Sequence, residues 1–220
     1  MPAAFLPSRQ GFAFTNSWPS EPGVVLPFRG RQIGIGNAAR GLCGGMVFAA
    51  LDYWHAGTSP PAERPAGGTP LYQFIVHRLI DSWHVPAGVG KYYQWMNRPD
   101  ADYRGRPGLR RLSVEQQWPR IRDTIDAGQP AALGVVTMAS AWPGLLGRNH
   151  QVLAYAYEQS GSTVSVAVYD PNSGPDDRIR IAFSTSSAAA FEHNLGIAWP
   201  VRGFFVTGYS PAAPPVLAAG

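Results

Sequence analysis

The chain has a single cysteine, Cys43, in a glycine-rich segment at the start of a helical pattern. Apolar residues recur every three or four positions from Met46 to Trp54, and Gly57 follows as a stop, which predicts a helix with one buried face. The free N–H groups and positive dipole of a helix N-terminus favour the thiolate, the nucleophilic form of cysteine. We therefore expect Cys43 to be a nucleophile, although a structural cysteine in a core helix is the alternative.

A histidine and a carboxylate follow far downstream in a predicted hairpin. His150 begins a segment, 150–158, whose β-branched and aromatic content is typical of a strand, and the returning strand 162–170 ends at Asp170. Counting outward from a turn near position 160 brings Asp170 opposite or diagonal to His150, on the same face, if the register is the simple one. The carboxylate would hold one ring nitrogen protonated and leave the other to exchange a proton with the thiol.

This order of cysteine at a helix start, histidine at a strand start and aspartate at the end of the next strand resembles the papain-like cysteine peptidases. It is most similar to the bacterial branch that includes peptidases cleaving after double-glycine leaders. The resemblance covers roughly residues 30–210, but only the short segments around Cys43, His150 and Asp170 carry it. It implies acyl transfer from a peptide or other amide to water through a thioester.

The resemblance also implies an oxyanion hole. In the family a glutamine six residues before the cysteine donates a side-chain N–H to the oxyanion, and this chain has Asn37 at that position. Asn37 and the backbone N–H of Cys43 would then be the two donors. Gln32 is the alternative if the intervening loop folds differently.

Two residues compete to orient His150. The branch that this chain resembles carries aspartate in an Asp-Pro pair after the histidine strand, and Asp170-Pro171 matches it. Asn172 has the same strand parity as Asp170 and could replace it, since papain itself uses an asparagine. We favour Asp170, because a carboxylate stabilises an imidazolium more strongly than an amide does.

The predicted substrate contacts flank the cysteine and the histidine. Glycines around the cysteine would leave the backbone open to substrate, and the loop just before the histidine borders the cleft in this family. The residues are Gly41, Gly44, Gly45, Trp142, Arg148 and Asn149. Arg148 could pair with a substrate carboxylate. We expect a peptide or amide substrate, with no cofactor and no metal.

Two other functions fit the same residues. One is a catalytically inactive papain-like module that binds a peptide in its cleft without cleaving it. The other is an acyltransferase or transglutaminase-like enzyme, in which an amine rather than water accepts the acyl group. A thiol-reactive probe separates the enzyme from the binding module, and acceptor amines separate hydrolysis from transfer.

Composition narrows the class of protein. The chain has 220 residues, of which 45% are apolar, enough to build one core. The lone cysteine, together with the lack of a secretory leader or of an apolar run of ~20 residues, predicts a cytoplasmic protein that does not enter a membrane. The net charge of +4 comes from dispersed arginines without a basic helix, so we expect no nucleic-acid partner. The oligomeric state is left open.

The order of elements predicts an α+β fold in a single papain-like domain over 1–220. Its expected parts are an extended N-terminal arm, a mainly helical part, an antiparallel sheet part and a tail, over 1–36, 37–128, 129–210 and 211–220. Helices are predicted from Thr69, as N-cap, to Trp83, over 89–96, and from a capping box at Ser113 to Gly128. Strands are predicted over 131–138, 149–158, 162–170, 178–184 and 202–209. Because helices precede strands, the nucleophile should lie at the junction of the two parts.

Overall fold

Helices and an antiparallel sheet follow one another along the chain in the computed structural model, which describes residues 4–18, 22–28, 31–37, 41–83, 87–187 and 189–215. The α-helices are α1 (Pro7–Gln10), α2 (Cys43–His55), α3 (Pro70–Ser82), α4 (Ala87–Met96), α5 (Leu109–Leu112) and α6 (Trp118–Asp126). The strands are β1 (Pro22–Phe28), β2 (Arg31–Asn37), β3 (Ala131–Val136), β4 (His150–Ser160), β5 (Thr163–Tyr169), β6 (Arg180–Ser184), β7 (Glu192–His193) and β8 (Gly203–Val206). The chain is therefore of the α+β class, as the sequence predicts.

The main sheet has six strands in the order β7-β6-β5-β4-β3-β8, and every neighbouring pair is antiparallel. Its central strand β4 is buried on both faces at its N-terminal end. Leu153 packs in the same cluster as α2 and α3, while Val152 and Ala154 pack in the cluster that contains α6. Helices thus cover both sides of the strand that begins with His150.

Helix α2 is an interior helix. Its residues from Gly44 to Trp54 are all buried, which is what a segment apolar on nearly every side requires. Gly44 and Gly45 permit close packing, because a Cβ on Gly44 would meet the side chains of Ser82 and Gln151, and a Cβ on Gly45 would meet the backbone of Ile75. The small residues therefore set how closely α2 approaches α3 and β4.

A buried ion pair fixes the far end of α2. The guanidinium of Arg78 on α3 donates to both oxygens of Asp52, at 2.7 and 3.1 Å, and both side chains are almost fully buried. The Tyr209 hydroxyl and the Ala212 N–H also donate to Asp52, at 2.7 and 2.9 Å. Burial raises the pKa of Asp52, and these donors oppose that shift. The pair ties both helices to the C-terminal segment.

The capping box predicted at Ser113 is wrong. Ser113 lies inside a continuous helical stretch that already begins at α5, and its hydroxyl donates to the Leu109 carbonyl at 2.9 Å instead of capping a helix. Pro119 follows one turn later and has no N–H to give, so the Trp118 N–H bonds to the Ser113 carbonyl in a wider π turn over Ser113–Gln117. The helix exists, but it begins earlier than predicted.

The N-terminal arm contains a hairpin that the sequence analysis did not anticipate. Strands β1 and β2 pair antiparallel, with Pro22 opposite Asn37 and Phe28 opposite Arg31. Before it, the segment 4–18 includes the short helix α1 and buries Phe5 and Phe12 against the α2 cluster. Part of the predicted arm is thus a packed component of the core.

None of the helices in the described parts of the chain combines the length and the apolar character needed to span a membrane.

We expect Arg78→Ala to lower the free energy of unfolding by about 3–5 kcal/mol, because it leaves the buried Asp52 carboxylate without its charged partner. Chemical denaturation measures this, with Arg122→Ala, which breaks only the exposed pair with Asp123, as the matched control. The double variant Asp52→Asn/Arg78→Met should regain part of the loss. A loss for Arg78→Ala as small as that for Arg122→Ala would contradict a structural role for the pair.

Candidate active site

A β-bulge in β4 decides which face of the sheet Asp170 occupies. Ser160 pairs with Thr163, but the register shifts at Tyr155, so that Leu153 pairs with Tyr169. Continuing this shifted register puts Asp170 across from Val152, on the face that also carries His150. Asp170 and His150 share a face, as expected, but the simple register assumed from the sequence is wrong in detail. Without the extra residue at Tyr155, the pairing that starts at Ser160 and Thr163 would put Asp170 on the opposite face.

His150 and Asp170 meet in the protein interior. His150 Nε2 lies 2.7 Å from Asp170 Oδ1, and the side chains are 4% and 0% exposed. Asp170 Oδ1 also accepts the Asn172 N–H at 2.8 Å, and Oδ2 accepts the Gly196 N–H at 2.7 Å. The predicted contact between His150 and Asp170 is present.

Asp170 carries a negative charge in this buried pair. Burial alone would raise the pKa of Asp170, but the charge and hydrogen bond of His150 and the two backbone N–H groups hold it below its ordinary value. Asp170 is therefore ionised near neutral pH, and His150 Nε2 carries the hydrogen that it donates. The ring nitrogen left for another partner is Nδ1.

The charge of Cys43 also affects the pKa of that imidazole. Burial alone would lower the pKa of His150, but the charges of Asp170 and Cys43, together with the hydrogen bond to Asp170, raise it to about 10. Because Asp170 engages Nε2, Nδ1 is the ring nitrogen that remains for a second partner. The charges of Asp170 and Cys43 therefore both raise the pKa of the His150 imidazole.

Cys43 is the first residue of α2 and is partly exposed. The first helical hydrogen bond runs from the Met46 N–H to the Leu42 carbonyl at 2.9 Å, so the N–H groups of residues 43–45 have no partner within the helix. These groups and the positive end of the helix dipole lie at the end of α2 that carries Cys43. The predicted position of the cysteine at a helix start is confirmed.

The predicted oxyanion donor Asn37 is the last residue of β2. Its side chain, like that of the alternative donor Gln32, lies outside the described residues. Both assignments therefore stay predictions, and only the Cys43 N–H has a described position.

Asn16, a residue without a sequence signal for a role at the site, holds the segment before the cysteine. Its Oδ1 accepts the Leu42 N–H at 2.6 Å, and its Nδ2 donates to Asn172 Oδ1 at 2.9 Å. Its own N–H donates to the Pro171 carbonyl at 2.8 Å. Asn16 therefore links the turn before Cys43 to the loop after Asp170. No local pattern marks it, since its partners lie far away in the sequence.

Asn172 is part of this linkage and does not orient the imidazole. Its Oδ1 accepts from Asn16 and its Nδ2 donates to the Gly196 carbonyl at 3.0 Å. Asp170 makes the contact with His150. The alternative orienter thus stabilises the loop around the carboxylate.

The three glycines predicted to bind substrate have packing roles. Gly41 has a φ of +87°, and a Cβ there would collide with the side chain of Asn16. Gly44 and Gly45 are buried against α3 and β4. They do not present an open surface, which corrects the reason given for them from the sequence.

Tyr92 on α4 holds the backbone of the histidine. Its hydroxyl donates to the His150 carbonyl at 3.0 Å. Burial, with a further contribution from the charge of Cys43, raises its pKa well above the ordinary value, so the hydroxyl stays a donor. In the sequence, Tyr92 is one of several aromatic residues at helical spacing, and that pattern does not predict its hydrogen bond to His150.

Asn149 stabilises the loop that leads into β4. Its Oδ1 accepts the Thr137 N–H at 3.1 Å, and its Nδ2 donates to the Leu146 carbonyl at 3.1 Å. With both ends of its amide engaged within the protein, Asn149 positions the start of the histidine strand. These contacts account for the residue without a substrate.

Trp142 and Arg148 flank this loop at the surface. They bound the 3₁₀ helix Pro143–Arg148, and the Trp142 side chain is 69% exposed. The Arg148 guanidinium lies 5.8 Å from the centre of the Trp199 ring, which is also exposed. An aromatic and cationic rim thus stands beside the strand that begins with His150.

In the described parts of the chain, no three histidine, cysteine, aspartate or glutamate side chains form a group that could hold a metal ion.

We expect Asp170→Asn to flatten the dependence of stability on alkaline pH. Because the pKa of His150 is raised from 6.5 to about 10, the stabilisation that it contributes is complete below pH 6.5 and is lost as pH rises through 10. Removing the carboxylate should bring that pKa down, and the fall in the free energy of unfolding over this range, a few kcal/mol in the parent, should shrink. Denaturant titrations at several pH values measure it.

Asn172→Ala is the matched control for this experiment, because it alters the same loop but leaves the Asp170 carboxylate in place. It should retain the slope of the parent protein. An equally steep slope in Asp170→Asn would mean that the carboxylate does not hold the charge of His150.

Comparison with known proteins finds no relative of this chain. No family model matches the chain, no curated protein matches it, and no solved structure matches it. What the site can do is therefore inferred from its own residues and contacts.

Proposed function

We propose that this chain is a papain-like cysteine hydrolase that cleaves a peptide or other amide. Cys43 is the nucleophile, His150 the acid and base, and Asp170 the orienter of His150. The observation that carries the proposal is the buried 2.7 Å contact between His150 Nε2 and Asp170 Oδ1, in a ring whose pKa is also raised by the charge of Cys43.

Acylation begins with a thiolate and an imidazolium. Cys43 Sγ attacks the amide carbonyl carbon, and the carbonyl oxygen becomes an oxyanion near the Cys43 N–H, with Asn37 as the proposed second donor. His150 Nδ1 gives its proton to the leaving nitrogen, the C–N bond breaks, and a thioester with Cys43 remains. The amine product departs with the proton that the imidazolium supplied.

Deacylation uses the same groups in reverse. A water molecule gives its proton to His150 Nδ1 while its oxygen attacks the thioester carbon. The C–S bond then breaks, the acid product leaves, and the thiolate and imidazolium are restored. Asp170 keeps its hydrogen bond to Nε2 in both steps, so the ring does not rotate away between them.

The rim beside His150 supports a peptide as substrate. Trp142 and Trp199 offer exposed aromatic faces, and Arg148 offers a guanidinium that forms no ion pair with any described residue. Aromatic side chains and arginine are typical of surfaces that bind extended chains. Arg148 would take a carboxylate of the substrate.

We expect a thiol-directed peptide epoxide to label Cys43 rapidly near neutral pH, as iodoacetamide does, with prior iodoacetamide treatment blocking the epoxide. His150→Gln should slow alkylation most at about pH 6–7, where an ordinary thiol with a pKa of ~8.5 is mostly protonated. His77→Gln, a change of an exposed histidine on α3, is the control and should label like the parent. Mass spectrometry of the modified peptide measures the rates.

Turnover separates the hydrolase from its alternatives. With an activated ester, the parent should form an acyl adduct on Cys43 and release free acid, and Cys43→Ala should do neither. Adduct that forms and persists, together with a His150→Gln profile unchanged from the parent, would favour the inactive binding module. Release mainly as an amide, when an acceptor amine is added, would favour an acyltransferase.

A further inference from the structure

A cleft outside the Cys43–His150 site lies along α4. It has a volume of about 870 Å³, and its lining includes Lys91, Gln94, Trp95, Arg98, Arg106 and Gln116. This volume is within the range of ligand pockets in proteins. Its lining includes none of Cys43, His150 and Asp170, and Tyr92, whose hydroxyl donates to the His150 carbonyl, is also outside it.

The cleft gathers positive charge without a carboxylate to balance it. Lys91, Arg98 and Arg106 line it, and its lining contains no acidic side chain. None of these three cations forms an ion pair with a described residue, and Arg98 donates to the Pro107 carbonyl at 2.7 Å. The positive charge of the cleft is therefore left uncompensated.

The carboxylates of the same segment are already paired elsewhere. Asp100 accepts from Arg202 at 2.8 Å, and Asp102 and Glu115 both pair with Arg111. These three carboxylates are therefore paired with Arg202 and Arg111, neither of which lines the cleft. A bound anionic ligand would supply the negative charge that Lys91, Arg98 and Arg106 lack among the lining residues.

Lys91 is the only lysine of the chain, and it sits in a partly desolvated place. Its ammonium lies 4.5 Å from the centre of the Phe205 ring and 5.6 Å from that of Trp95. Burial, and then the charge of Arg120, lowers its pKa to about 8. A bound anion would reverse this effect and favour the charged amine.

We propose that this cleft binds a small organic polyanion that carries carboxylate or phosphate groups. Lys91, Arg98 and Arg106 contact the anionic groups, the amides of Gln94 and Gln116 donate further hydrogen bonds, and Trp95 supports the apolar part of the ligand. The site is separate from Cys43 and does not depend on its activity.

Calorimetry with two probes at constant ionic strength tests the site. Citrate represents a polycarboxylate and pyrophosphate a polyphosphate, and we expect one of them to bind with a single site. Lys91→Met and Arg106→Gln should each weaken that binding about tenfold or more, since each removes a charged contact. Arg122→Gln, which removes an exposed arginine outside the cleft, should leave it unchanged.

Because Lys91 is the only lysine, its amine can also be followed directly. Acetylation by acetic anhydride, read by peptide mapping that separates Lys91 from the α-amine, should show a midpoint near pH 8. The probe that binds should move this midpoint upward and slow the reaction at pH 8.

Three results would overturn the proposal. The first is that neither citrate nor pyrophosphate binds at millimolar concentration. The second is binding of equal strength in the parent, Lys91→Met and Arg106→Gln. The third is binding of an oligoglutamate peptide alone, which would assign the cleft to an acidic polypeptide instead of a small molecule.

Discussion

The hydrogen bond between His150 and Asp170 is the contact around which the site is arranged. A fully buried carboxylate is costly unless donors surround it, and Asp170 receives the imidazole and the N–H groups of Asn172 and Gly196. The bulge at Tyr155 turns this carboxylate to the face of His150. The extra residue in β4 therefore puts Asp170 on the same face as His150, which a regular pattern of strand pairing would not do.

Other parts of the fold serve to present Cys43 to this pair. Helix α2 is buried from Gly44 to Trp54 while its first residue, Cys43, is partly exposed, and the buried pair of Asp52 with Arg78 anchors its C-terminal part. Asn16 connects the turn before the cysteine with the loop after Asp170. An N-terminal segment thus holds together the turn before Cys43 and the loop after Asp170, two parts that lie far apart in the sequence.

Periodicity alone predicts much of this architecture, because α2, α3 and the β4–β5 hairpin have strong local patterns. It does not predict the bulge, since the register at Tyr155 depends on how both faces of β4 pack. Ser113 carries a local capping signal that the tertiary structure overrides, because its hydroxyl serves the Leu109 carbonyl and the Phe204 N–H. The role of Asn16 depends on contacts with Leu42 and Asn172, which are too distant in the sequence for a local pattern to predict.

The most direct test of the account is the titration of the His150 ring by nuclear magnetic resonance in the parent protein and in Cys43→Ala. Because the charge of Cys43 is one of the causes that raise the pKa of His150 to about 10, removal of the sulfur should move the titration midpoint clearly downward. An unchanged midpoint in Cys43→Ala, with the fold intact, would show that the sulfur does not act on the imidazole. That result would contradict a catalytic unit of Cys43, His150 and Asp170.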